Sequence, residues 1–441
     1  MKKLPLLIVM IFSPFQLAVL VWAQDRAGNP GGRTTRASVL EREEEPVASG
    51  RRRSGIKNRT FEISLANVSV NASNDFLTAK DIFRETATIY INHFLSGFRL
   101  NTSAAIKPLS LGLNWKEHWG FGLDLAHVDV FGNVSVSGRM INLNMAENEK
   151  FGVGAAAFVN VVGIPVFFHV NDFKIKIRPA AYFSLFYAEP GITYSFDGER
   201  LSVDYDMRIY TPISLAGTEG GDMGAFFRDE LNAGNARNIL KNNLGFDLSL
   251  GLEYPLYPWL DLGAEIANIP IPFAASKLSH YARFRDSVYV DAGKIDLGSM
   301  IGGDIPEGIY HVPEEFKPEY GYDSGGKAAY RPFAMLFYAN YRPLNSRVLA
   351  LIPSLGFSIS RLYPSVGAIE GGVSVRCDLG NVFITTLGIN YNDRKWKNSV
   401  DFALNLRAIE LDFGVSVQSP DFLKSFQGAG LGVNFGVKLG W

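Results

Sequence analysis

Six histidines, His93, His118, His127, His169, His280 and His311, are the residues of this 441-residue chain best suited to acid–base or metal chemistry. No two of them stand in an HxxxH or HExxH arrangement, so their spacing gives a metal no paired ligands. No GxSxG elbow, P-loop or CxxC accompanies them. A rim hydrolase could draw only on Ser279-His280 and the stretch from Glu307 to His311. Gly302-Gly303-Asp304 with Glu307, Glu314, Glu315, Glu319 and Asp323 is acidic enough to attract calcium, but such a composition ordinarily makes a hydrated loop. Neither catalytic residues nor cofactor or metal ligands are expected. The single Cys377 excludes an internal disulfide framework, and 43 basic against 44 acidic residues exclude a strongly basic nucleic-acid binder.

The titratable residues that remain recur at every second position. Asp204, Asp206 and Arg208 form one such row. Asp247 and Glu253, then Glu370 and Arg376, then Glu410 and Asp412, and finally Lys438 continue it in later segments. Between them stand apolar side chains: Phe246, Leu248, Leu250 and Leu252, or Ile409, Leu411, Phe413, Val415 and Val417. Successive side chains of a strand face opposite sides of its sheet, so each segment has one apolar and one polar or glycine-rich face. The apolar runs are about ten residues long, the length of a tilted membrane-crossing strand. Aromatic residues sit near their ends, at Trp115, Trp119, Tyr254, Tyr257, Trp259, Tyr341, Tyr363, Tyr391, Trp396 and Trp441, as interfacial girdles require. The 44 glycines and 20% charged residues fit strands with only one polar face.

Long and short joints alternate along these segments. Counting back from the C-terminus gives an all-β, antiparallel transmembrane barrel of about fourteen strands (twelve to sixteen), beginning near residue 106. Stretches 211–243 and 271–330 are expected as its longest outside loops. The rows of charge face the bore, mixed in sign, and Cys377 faces lipid.

Val433-x-Phe435-x-Val437-x-Leu439-x-Trp441 resembles the C-terminal signal by which bacterial outer-membrane barrels are recognised during assembly, with Trp in place of the commoner Phe. That resemblance implies the outer-membrane assembly machinery and periplasmic chaperones as partners in biogenesis, and outer-membrane lipid around the folded chain. In size and strand number the barrel is similar to long-chain fatty-acid transporters (FadL-type). The resemblance implies passive uptake of small or hydrophobic, fatty-acid-like solutes. Members of that family carry an Asn-Pro-Ala hatch motif. Here Gly28-Asn29-Pro30 is followed by glycine, so hatch chemistry is not carried over.

The N-terminal part completes the layout. Lys2 and Lys3, an apolar run from Leu4 to Val21, and Ala23-Gln24 as the cleavage point form a secretory signal peptide over residues 1–23. Residues 24–57 read as a disordered periplasmic tether. Residues 58–105 are expected as a plug or periplasmic segment with a helix over 79–97. Its apolar stripe comprises Ile82, Phe83, Thr86, Ile89, Tyr90 and His93, and inward Gly414, Gly432, Gly436 and Gly440 would receive it. The function expected is an outer-membrane channel. The alternatives are a surface barrel binding ligands through its long loops and, last, an outer-membrane hydrolase.

Overall fold

The structure is a computed structural model. It describes residues 60–74, 97–115, 119–137, 149–150, 152–196, 200–214, 233–271, 274–291, 310–311, 318–346, 348–360, 366–380, 382–392, 395–406, 408–419, 422–427 and 430–440.

These residues form one antiparallel sheet that closes on itself, a barrel of fourteen wall strands. In chain order they are β1 (Phe61–Asn74), β2 (Gly97–Trp115), β3 (Trp119–Ser137) and β4 (Gly152–Gly163 with Val166–Val170). Then come β5 (Phe173–Phe196), β6 (Arg200–Thr211 with Gly245–Tyr257), β7 (Leu260–Pro270 with Ser276–Asp291) and β8 (Glu319–Ala329 with Phe333–Tyr341). The remainder are β9 (Leu349–Ser360), β10 (Val366–Leu379), β11 (Phe383–Asn392), β12 (Lys395–Leu406), β13 (Ile409–Ser419) and β14 (Gly430–Gly440). Each strand pairs with its successor. The ring closes where β1 pairs with β14, Glu62 opposite Gly440 and Ser73 opposite Gly430.

The apolar face looks outward. Leu355, Ile369, Val373, Leu387, Phe413 and Leu431 are all exposed on it. Val433, Phe435, Val437 and Leu439 share the outward face of β14, and Trp441 lies outside the described residues. Aromatic side chains bound this face at two levels. At the short-turn end Trp115 stacks on Trp119 at 6.3 Å and Tyr257 on Trp259 at 5.0 Å. At the other end Trp396 packs against Tyr391 at 5.1 Å and Phe422 at 5.0 Å. β11 and β12 are 10 and 12 residues long, close to the span of a tilted strand across hydrocarbon. The outer pieces of β6, β7 and β8 lie beyond this band.

Two parts of the wall differ from the layout expected from alternation. The barrel starts at Phe61, ahead of residue 106. Alternation in β1 is concealed by a bulge at Ala66 (φ 53°), which moves the outward positions from Ile63 and Leu65 to Val68 and Val70. Residues 75–96 therefore lie between β1 and β2 in the chain. Ile82, Phe83, Thr86, Ile89, Tyr90 and His93 are among them and lie outside the described residues, as do Ala23 and Gln24.

The second difference is β6. Its two pieces read as separate strands in the sequence, yet both pair with β5: Tyr187–Phe196 with the outer piece, and Lys174–Tyr182 with the inner. Residues 212–244, containing the helix α1 (Ala233–Asn242), interrupt a single strand. Part of the 271–330 stretch is likewise wall, since Ser276–Arg283 pairs with Glu319–Ala329. One strand overlooked and one counted twice leave the total at fourteen.

Candidate functional site

With β6 absent from the wall between Thr211 and Gly245, the ring at that height loses about one inter-strand spacing of ~4.8 Å. Its neighbours close in. The Ser184 N–H of β5 donates to the Ser276 hydroxyl of β7 at 2.9 Å, and Ser184, Thr211 and Ser276 are fully buried. One strand further round, the Tyr182 hydroxyl donates to the Ala329 carbonyl of β8 at 3.2 Å. Side chains that touch wall residues two or three strands away must lie inside the ring. The β3–β8 side is thus drawn inward and packed.

An ionic layer crosses the bore at this constriction. A bulge at Ala126 (φ 53°) turns Asp124 and His127 to the same face of β3, with Asp129 one alternation further on. Arg178 Nη2 of β5 meets Asp124 Oδ2 at 2.7 Å, and His127 Nε2 meets Asp129 Oδ1 at 2.9 Å. Arg331 sits in the break between the two pieces of β8, just before Pro332, which has no N–H for a ladder bond. Its guanidinium reaches Asp247 of β6 at 3.2 Å and Asp129 of β3 at 3.5 Å, with β4 to β7 lying between β3 and β8. The same group lies 5.9 Å from the centre of the Tyr182 ring. Arg331 is 5% exposed and Asp247 3%. Two bonds fix the break that presents it. Tyr182 holds Ala329, and the Asn268 side-chain amide, from a bulge of β7 (φ 53°), donates to the Pro332 carbonyl at 2.8 Å.

Above this layer is an aromatic one. Phe131, Phe158, Tyr182, Tyr187, Tyr210 and Tyr281 pack with Ala156, Leu278 and Ala329, with ring centroids about 6 Å apart, Phe158–Tyr182 at 6.0 Å among them. A leucine-like stretch, Phe183-x-Leu185-Phe186, conceals these positions in sequence. A bulge there shifts the inward parity from Tyr182 and Ser184 to Tyr187 and Glu189. Lys327 spans the layer's outer side, ion-paired to Glu189 at 2.6 Å and facing the Tyr187 ring at 5.5 Å. Toward the short-turn end Lys176 meets Glu253 at 2.8 Å and Glu265 at 3.5 Å, and Arg342 pairs with Asp261.

The opposite wall, β9 to β14 with β1, sets glycines and small polar residues among its inward charges. Gly414 lies in register between Asp401 and Asn434, whose side chains bond over it at 2.8 Å. A Cβ on Gly414 would stand 1.9 Å from Asp401 Oδ1. Gly432 is likewise covered by Ser416 and Asn71, and Gly436 faces Asp412. The space beside these glycines is filled by neighbouring wall side chains, whereas the sequence suggested a docking strip for a helix. The device recurs on the packed side. Lys176 reaches Glu265 over Gly251, and Tyr338 reaches Glu253 over Gly263 at 3.1 Å.

The ten charged residues read from alternation fall as follows. Asp247 and Glu253 belong to the packed side just described. Asp206 holds Arg283 through two bonds of 2.6 and 2.7 Å in the outer extension, Arg208 faces the Tyr281 ring there at 5.9 Å, and Asp204 stands beside them on β6. Glu370 accepts from Ser358 at 3.1 Å, Arg376 lies 3.6 Å from Asp378, Lys438 pairs with Glu410 at 3.0 Å, and Asp412 is buried. Sequence reading omitted Arg331, which lies in no alternating segment. It also left His127 and Asp129 out of the bore-facing rows, although Val128 and Val130 mark their face. The rim residues do not converge: His280 packs edge-on against Tyr322 at 5.2 Å, while His311 pairs with Tyr289 further along β7. Among the described residues no group of three His, Cys, Asp or Glu could hold a metal ion.

No family model and no curated protein matches the chain. Among solved structures it is similar to the Pseudomonas putida toluene transporter TodX, with 9% identity, a TM-score of 0.41, and 93% of this chain and 95% of that one covered. It is also similar to the Ralstonia pickettii toluene transporter TbuX, with 10% identity, a TM-score of 0.40, and 87% and 90% covered. CymD, a monoaromatic hydrocarbon channel, gives 9%, 0.41, 87% and 89%.

Proposed function

We propose that the chain is a passive, non-enzymatic outer-membrane channel admitting small hydrophobic solutes. The observation that carries this reading is the interior of the closed ring, where six aromatic side chains lie directly over a cross-bore ion bridge. Aromatic rings offer a surface that an apolar solute can share at little desolvation cost, while charged rows keep the rest of the bore wet. The outward apolar band between two aromatic levels supports outer-membrane lipid as its surroundings. The β14 alternation supports recognition by the assembly machinery after delivery by periplasmic chaperones, and residues 1–23 are proposed as the export signal.

The test is selectivity in vesicles whose outer leaflet contains lipopolysaccharide, a barrier to apolar solutes. The refolded protein should speed entry of a medium-chain fatty acid or a simple arene far more than that of a disaccharide. Equal acceleration of all three would make it a general pore. Acceleration of none would reject transport.

A further inference from the structure

We infer that Arg331 is the bar that closes this bore, holding β8 to β3 and β6 across the constriction. The inference rests on the channel reading and names the contact that such a channel must break. Three observations converge on it. An arginine side chain cannot span a fourteen-strand bore by itself. The wall reaches it only where β6 is interrupted and Ser276 closes on Ser184. The guanidinium then grips two carboxylates on different strands, Asp129 at 3.5 Å and Asp247 at 3.2 Å. Arg331 Nε and Asp247 Oδ1 are meanwhile buried with no hydrogen-bond partner.

A bridge with such unmet groups is not optimised as a purely structural one. Burying charge without full pairing costs free energy, so the closed arrangement is less stable than its contacts suggest. Its place in the break of β8, tethered through Ala329 and Pro332 and not by the ladder, lets Arg331 shift without unzipping a strand pair. Opening would leave Asp129 with His127, and Arg331 facing the Tyr182 ring.

Single-channel recording in planar bilayers tests this. Wild type should show low ion conductance, R331A a several-fold increase, and D129N and D247N smaller increases. K241A, which removes a cation from the exposed face of α1, should match wild type. Heat-modifiable migration in detergent gels must be retained by each variant, so that open channels are not mistaken for misfolded wall. Equal conductance of wild type and R331A would overturn the bar while leaving the channel intact. If neither folded form conducts or passes an apolar probe, the channel reading falls with it.

Discussion

Asp206 and Arg283 form the best-defined ion pair outside the membrane band, with two short bonds between the outer pieces of β6 and β7. The hydrogen bonds from Arg283 hold the Asp206 carboxyl below the usual aspartate range. A carboxylate with a depressed folded value stabilises the fold above its unfolded value, near pH 4, and the contribution is lost as pH falls through the folded value. Comparing urea unfolding midpoints of wild type and D206N from pH 7 to pH 2 should therefore show a gap at neutral pH that narrows only below about pH 4. A gap constant with pH would mean the pair adds nothing to the fold through its charge. At His280 the favoured form is the neutral one. Burial lowers its pKa, so it stays neutral at pH values where an exposed histidine would begin to charge.

At the scale of elements, glycines set the wall's inner surface. Where one stands in register between two polar residues on flanking strands, those residues bond over it, as Asp401 and Asn434 do over Gly414. Filling such a position should cost roughly 1–3 kcal/mol, the usual result of overpacking. G414V and G251V should both lower the urea midpoint. G371A, one residue from Gly372 but on the outward face with nothing nearer than 3.8 Å, should not. Equal loss in all three would point to backbone effects rather than to the bridges. Alternation made β9 to β14 readable residue by residue, because no bulge disturbs their parity. The same rule failed where bulges fall, at Ala66 in β1 and Ala126 in β3, and where a 33-residue excursion (212–244) cuts β6. Arg331 was invisible for a related reason: it precedes a proline in a gap between strand pieces, so no periodicity marks its face. Cross-bore contact is long-range and has no local signature at all.

For the whole molecule, the closed ladder from β1 to β14 removes every sheet edge within the band, which suits a wall surrounded by lipid. The protein should accordingly stay folded in micelles and run faster on detergent gels before boiling than after. The packed β3–β8 half and the glycine-lined β9–β1 half make the bore asymmetric, and the aromatic layer lies only in the first. Entry of an apolar solute is therefore the property that most directly tests what this interior is for. The decisive measurement is the rate at which a simple arene enters lipopolysaccharide-containing vesicles carrying the folded protein, compared with vesicles carrying none. A rate that rises in proportion to protein density is the result expected. Entry indistinguishable from protein-free vesicles, with the barrel shown to be folded, would contradict the account.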